Sequence, residues 1–142
     1  MSLFNVFDVS GSALQAQSIR LNTTSSNLAN ANSVSSSTNQ TYRARHPVFA
    51  PLLRDISERD FGELDSNVGV RVLGIVESQE PLRREYNPDH PMADAEGFIS
   101  LPNVNVVEEM ANMISASRAY QTNVEVMNSA KQMLLRTIAL GQ

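Results

Sequence analysis

The sequence predicts a mainly α protein with a small β-rich middle, in which long N- and C-terminal helices form an antiparallel, coiled-coil-like pair. Three observations predict it. Apolar residues recur at alternating steps of three and four across residues 104–140, a weaker version of that spacing runs across residues 3–31, and the stretch between them is rich in Pro, Gly and short β-branched runs. The chain therefore divides into an N-terminal helix (1–32), a linker and short-stranded insert (33–103) and a C-terminal helix (104–142).

In the N-terminal segment Phe4, Phe7, Gly11, Leu14, Ser18, Leu21, Ser25 and Leu28 follow the heptad step. The seam is weak, because Gly11, Ser18 and Ser25 bury little apolar area and glycine costs about 1 kcal/mol against alanine in a helix interior. The run from Asn22 to Asn27 is made of poor helix formers, whose short polar side chains compete for backbone hydrogen bonds. This helix is therefore expected to depend on neighbours. Asn27 and Asn30 either bond across helices or close the helix, and Asn32 reads as a helix end.

The Ser/Thr/Asn-rich stretch Ser33 to Thr41 predicts a mobile linker. Tyr42 to Phe49 predicts a strand, and Val68, Val70 and Val72 alternate as in a half-buried second strand, with Gly69 and Gly74 marking bends or bulges. Leu82 to Tyr86 is expected to pair with that second strand. Ser57 to Ser66 is charged and predicts an exposed loop, Asn87 to Pro91 a turn, and Gly97 to Leu101 one last short strand.

In the C-terminal segment Met110, Met113, Ser117, Tyr120, Val124, Met127, Lys131, Leu134 and Ile138 form a seam of about four heptads. Asn105 followed by Glu108 reads as an N-cap with its capping-box partner, and Glu108 and Glu109 suit the positive end of the helix dipole. At 1.5 Å per residue this helix is on the order of 50 Å long, more than the short middle can cover. Another helix must cover it. Met110, Met113, Met127 and Met133 lie on or near its apolar face, either as ordinary core or as flexible contacts to a partner.

Composition excludes several classes of function. A net charge of -4 without clustered Lys or Arg argues against nucleic-acid binding, and the absence of cysteine removes disulfides, thiolate metal sites and cysteine nucleophiles. Residues 1–10 lack the basic start and apolar run of a cleaved secretory signal, and no stretch is long and apolar enough to span a bilayer. His46 and His90, each followed by proline, have Asp89 and Asp94 as conceivable co-ligands, yet no spacing sets them on one helical face. No nucleophile elbow or phosphate loop appears. The reading is of no enzyme, no cofactor and no metal. Candidate functional residues are instead those of the inter-helix and assembly seam: Leu14, Leu21, Leu28, Met110, Met113, Tyr120, Val124, Met127, Leu134 and Ile138.

Three stretches carry a family resemblance. Ala13 to Asn22 with Ser26 to Asn32, then Asn87 to Ile99 with Pro102 to Val104, and finally Ser117 to Asn123 with Leu140 to Gln142 resemble, in that order, the bacterial flagellar basal-body rod proteins of the proximal-rod type. A coiled-coil adaptor or secretion-needle subunit would share the helices but not the Asn87 to Ile99 stretch. The resemblance implies a structural subunit exported unfolded through the flagellar type III apparatus, without a cleaved signal peptide, into a periplasm-spanning rod. It implies as partners other rod proteins, neighbouring copies of the chain, adjoining basal-body components and the export apparatus. It also implies that the terminal helices form the inner layer of a tube that carries torque and passes later export substrates.

Overall fold

A computed structural model of the chain describes residues 3–52 and 69–140; the expected loop Ser57 to Ser66 and the strand position Val68 lie outside the described residues. Two long helices, α1 (Leu3–Asn30) and α2 (Val106–Leu140), enclose in sequence four short strands, β1 (Arg45–Leu52), β2 (Gly69–Glu77), β3 (Arg83–Tyr86) and β4 (Phe98–Leu101). The helices pack against one another, and among these elements α2 touches only α1. The middle reaches the helical layer through β1 and β2, which both lie against α1.

α1 is continuous through the Asn22 to Asn27 run, because that run's polar groups find partners. Thr23 returns its hydroxyl to the Ile19 carbonyl at 2.9 Å, and Asn30 donates to the Ser26 carbonyl at 2.8 Å. Asn27 is the largest fully buried side chain of the described residues. Its Nδ2 donates to the Arg45 carbonyl at 2.8 Å, and its Oδ1 accepts from the Arg45 N–H at 2.9 Å and the Tyr42 hydroxyl at 2.8 Å. The carboxamide thus serves Arg45 as a neighbouring strand would, and it fixes the start of β1 on the last turns of α1. Of the open readings, Asn27 crosses between elements, Asn30 bonds within its own helix, and exposed Asn32 follows the helix end.

At the start of α2, Asn105 caps as expected, with Oδ1 accepting from Val107 N at 3.1 Å and Glu108 N at 3.5 Å. Asn103, just before it, takes the Ala44 N–H at 2.8 Å and donates to the Glu80 carbonyl at 3.0 Å. The end of α1 and the start of α2 are therefore both anchored on the same edge of the middle segment.

β1 and β2 pair antiparallel, with Val48 opposite Gly74 and Phe49 opposite Val72. That shift is a bulge that leaves Leu73 as the extra residue, so Gly74 does mark an irregularity. Gly69 has a different role: a Cβ there would lie 3.0 Å from the Ser12 hydroxyl, which accepts the neighbouring Val70 N–H at 3.1 Å. The glycine lets the strand approach α1 closely.

Two expectations are corrected. The stretch at 82–86 does not join β2; β3 pairs antiparallel with β4, Arg83 opposite Leu101 and Tyr86 opposite Phe98. The Asn87 to Pro91 turn reverses the chain so that β4 is the nearer partner, and Asn87 N–H closes it on the Gly97 carbonyl at 2.9 Å. The linker 33–41 is also tied down. Ser35 exchanges both backbone bonds with Ser100 at 3.1 Å, and the Thr41 hydroxyl donates to the Ser37 carbonyl at 2.8 Å.

The turn before β4 is held by Asp94. Its Oδ1 accepts from Phe98 N at 2.8 Å and Glu96 N at 2.9 Å, while Oδ2 takes Arg84 Nη2 at 2.8 Å. The Phe98 N–H chiefly, and after it the Glu96 N–H and the Arg84 guanidinium, hold the Asp94 carboxyl below the usual carboxylate range. Gly97 sits at φ +81°, and a Cβ there would lie 2.9 Å from the Tyr86 ring. That ring meets Phe98 edge-on with centroids 5.2 Å apart. Gly97→Ala is therefore expected to destabilise the β3–β4 hairpin by at least about 1–2 kcal/mol, read as a lowered denaturation midpoint of the purified chain.

Among the described residues the buried apolar side chains are few and mostly alanine: Ala16, Ala31, Ala44, Ile99, Leu101, Ala116 and Ala130. A core made largely of alanine lets backbones approach closely but removes little apolar area from water. The single chain is thereby left with modest stability of its own.

Candidate assembly surface

The buried positions of α2, and several of those of α1, lie one residue before the seams expected from the sequence. On α2 they are Glu109, Ala116 and Ala130, spaced by seven and fourteen, where the apolar pattern points to Met110, Ser117 and Lys131. On α1 Ser10, Thr24 and Asn27 are buried, with Gln17 Oε1 also buried, where the pattern points to Gly11, Ser25, Leu28 and Ser18, while Ala16 and Thr23 are buried two residues before Ser18 and Ser25. The helices meet over small and polar side chains, and the larger apolar residues flank that contact. Leu14, Leu21, Leu28, Met113, Val124, Met127 and Leu134 are accordingly half-buried, and Met110, Tyr120 and Ile138 are exposed.

Among the described residues α1 is the only element that α2 touches, and much of the remaining surface of α2 is exposed. Val107, Met110 and Ile114 form an exposed apolar stripe at helical spacing, and Val126, Met133 and Leu140 form a second with a step of seven. Contiguous exposed apolar surface of this kind marks an interaction site in a soluble protein. Only six of the 35 residues of α2 carry charge, so little on this surface opposes its burial. Tyr120 is itself partly exposed, at 38%. The second exposed apolar group is on the β1–β2 ribbon, where Val48, Phe49, Leu52, Leu73, Ile75 and Val76 face solvent. Pro47 and Pro51 deprive β1 of two N–H donors, which discourages further strands from adding to it.

The residues considered for chemistry are occupied structurally. His90 Nδ1 accepts from Met92 N at 3.1 Å, Asp94 is bound to Arg84 and two backbone donors, and His46 lies apart at the start of β1. Among the described residues no three His, Asp or Glu side chains converge as metal ligands.

Comparison with known proteins agrees with a surface built for assembly. Residues 7–35 match the family described as flagella basal body rod protein, and residues 95–140 match the flagellar basal body rod FlgEFG protein C-terminal family. The flagellar basal-body rod proteins FlgC of Salmonella typhimurium and Escherichia coli are each 49% identical to the chain over 142 residues, covering all of both sequences. This chain belongs to the FlgC family of flagellar basal-body rod proteins. The FlgC protein of Yersinia enterocolitica is 48% identical over the same full length, and that of Borreliella burgdorferi 37% over 151 residues, covering all of this chain and 99% of the relative.

The two family matches fall on α1 with the start of the linker and on β4 with α2, so the family pattern is concentrated on the helical layer and its anchor points. Members are named as rod proteins of the basal body, structural components rather than enzymes. Among the described residues no helix is long and apolar enough to cross a membrane.

Proposed function

We propose that the chain polymerises through its terminal helices into the proximal rod of the flagellar basal body, contacting neighbouring copies and other rod proteins. The observation that carries this reading is a 35-residue helix that, among the described residues, is covered by a single 28-residue neighbour and is lined elsewhere with exposed apolar residues. The pair runs antiparallel in a coiled-coil-like manner. Support comes from Arg20, ten positions before the end of α1, which donates to Asn112 near the start of α2 at 2.8 Å, while Asn27 and Asn103 anchor the adjoining helix ends at the start of β1. In that arrangement the last turns of α2 outrun α1. This accounts for Ile138, which shares the face of Ala130 and Leu134 yet is 55% exposed.

The functional division is an N-terminal polymerisation helix (1–32), a linker and outer middle segment (33–103) and a C-terminal polymerisation helix (104–142). Leu14, Leu21, Leu28, Met113, Val124, Met127 and Leu134 flank the helix contact, where a neighbour completes their burial; Met110, Tyr120 and Ile138 lie wholly on the neighbour's side. A contact of this head-to-tail kind that does not close generates a helical tube. The tube crosses the periplasm, transmits torque as a stiff shaft and passes later export substrates. The subunit reaches it unfolded through the type III export apparatus, without a cleaved signal peptide. Delivery as an unfolded chain suits a subunit whose small core gives the free form little stability.

Amide exchange tests this reading. In the free subunit α1 is expected to exchange fast across Leu3–Asn30, since its own packing is slight, and to become protected in isolated basal bodies. Equal, strong protection in a demonstrated monomer contradicts the dependence on neighbours.

A further inference from the structure

The strands form two separate two-stranded ribbons whose outer edges are unequally finished. The edge of β1 is closed, because Asn27 takes both the N–H and the carbonyl of Arg45, and Pro47 and Pro51 on the same edge have no N–H to offer. The edge of β4 is closed by Ser35, which exchanges both backbone bonds with Ser100. Those of β2 and β3 are open. Register tells which of their groups point outward. Ser78 N–H donates to the Ala44 carbonyl at 2.7 Å and Arg45 lies opposite Glu77, so by alternation the backbone groups of Ile75 and Glu77 face away from β1. Asn87 N–H donates to the Gly97 carbonyl at 2.9 Å, so those of Arg84 and Tyr86 face away from β4. Nearer its start the β2 edge is occupied, since Val70 N–H donates to Ser12 Oγ at 3.1 Å. Within one chain β2 and β3 do not touch.

The two open edges complement each other. Aligned antiparallel with their outward groups paired, they set Glu77 opposite Arg84, Ile75 opposite Tyr86 and Val76 opposite Glu85. The first pair joins unlike charges, and the second joins side chains that are 52% and 65% exposed in the single chain. Glu77 and Arg84 are engaged through one atom each, Oε1 with Arg45 and Nη2 with Asp94, which leaves a carboxylate oxygen and further guanidinium N–H groups for a new contact. Pairing of like edges is poorer. β3 on β3 sets Glu85 opposite Glu85, and β2 on β2 closes a two-fold pair that cannot propagate.

We propose that the β2 edge of one copy takes the β3 edge of the next, joining the two ribbons into one four-stranded sheet between subunits. The proposal rests on the polymerisation reading and adds to it a contact outside the helical layer. Being head-to-tail, it leaves one edge free at each end and so propagates along an open assembly.

A cysteine pair tests it, since the chain has no cysteine of its own. Val76 and Glu85, both exposed, would face each other as a non-hydrogen-bonded pair with Cα atoms about 4.5 Å apart, within reach of a disulfide. Mild oxidation of isolated basal bodies carrying Val76→Cys with Glu85→Cys is expected to link most of the chain into dimers and longer multiples, while either single variant stays monomeric. Complete rods in which the double variant stays monomeric, or in which a single variant links equally well, overturn the pairing and leave the polymerisation reading standing. A photo-cross-linking residue in place of Val76 alone identifies the occupant: capture of the Arg83–Tyr86 segment of a second copy is expected, and capture of a different rod protein overturns the assignment. Wild-type chain absent from basal bodies would instead defeat the polymerisation reading itself.

Discussion

Ala116→Asp is expected to abolish the helix pair of the free subunit and, with it, any completed rod. Ala116 is fully buried on the face of α2 that packs on α1, so a new carboxylate there is taken out of water. Burying an unpaired charge costs several kcal/mol, which is a large part of the whole stability of a small domain. The change is read as lost helical circular dichroism and as increased protease sensitivity of both helices. Ala111→Asp is the matched control, on the exposed side of the same helix, and should leave the helix content of the free subunit nearly unchanged. Equal loss from both variants would show that α2 tolerates no added carboxylate and that its buried face is not the cause.

Leu134→Asp is expected to act at the next level, with assembly failing before folding does. Leu134 is half-buried in the single chain, near the end where α2 outruns α1, so a charge there is accommodated by water until a neighbour arrives. Once that neighbour covers it, the penalty reaches several kcal/mol per subunit contact, enough to stop polymerisation. The subunit should remain soluble with wild-type circular dichroism while basal bodies stop short of a completed rod and cells lose motility. Ser36→Asp, exposed in the linker, should leave rods and swimming near wild type. Motile cells with complete rods carrying Leu134→Asp would show that the C-terminal helix does not drive assembly through this face.

The existence, type and order of the elements were legible in the sequence because they rest on local chemistry. Alternating steps of three and four mark both helices, Asn105 caps α2, and Gly74 marks the bulge in β2. What stayed hidden depends on contacts between distant residues. The rotation of each helix is an example: apolar periodicity selects the leucines and methionines, but these helices approach over Ala16, Ala116 and Ala130 with polar Thr24 and Glu109 beside them. Small residues permit the closest backbone approach and leave the weakest apolar signature. The partner of β3 was equally hidden, since two short strands differ as partners only by the turn that brings one nearer. Asn27 was narrowed to two readings, and only the position of Arg45 distinguishes them. Glu109 drew notice only as an acidic residue suited to the helix dipole. Nothing in its neighbours along the chain indicates burial, which arises where α2 packs on α1.

The central claim is that the uncovered face of α2 is an interface between subunits. A density map of intact basal bodies, resolved well enough to trace side chains, tests it most directly. The account predicts that α1 and α2 lie in the inner layer of the rod, with Val107, Met110, Ile114, Met133 and Ile138 buried against adjacent subunits and the β1–β4 segment further out. A map in which those five residues face open solvent, and the subunits join only through their middle segments, would contradict it.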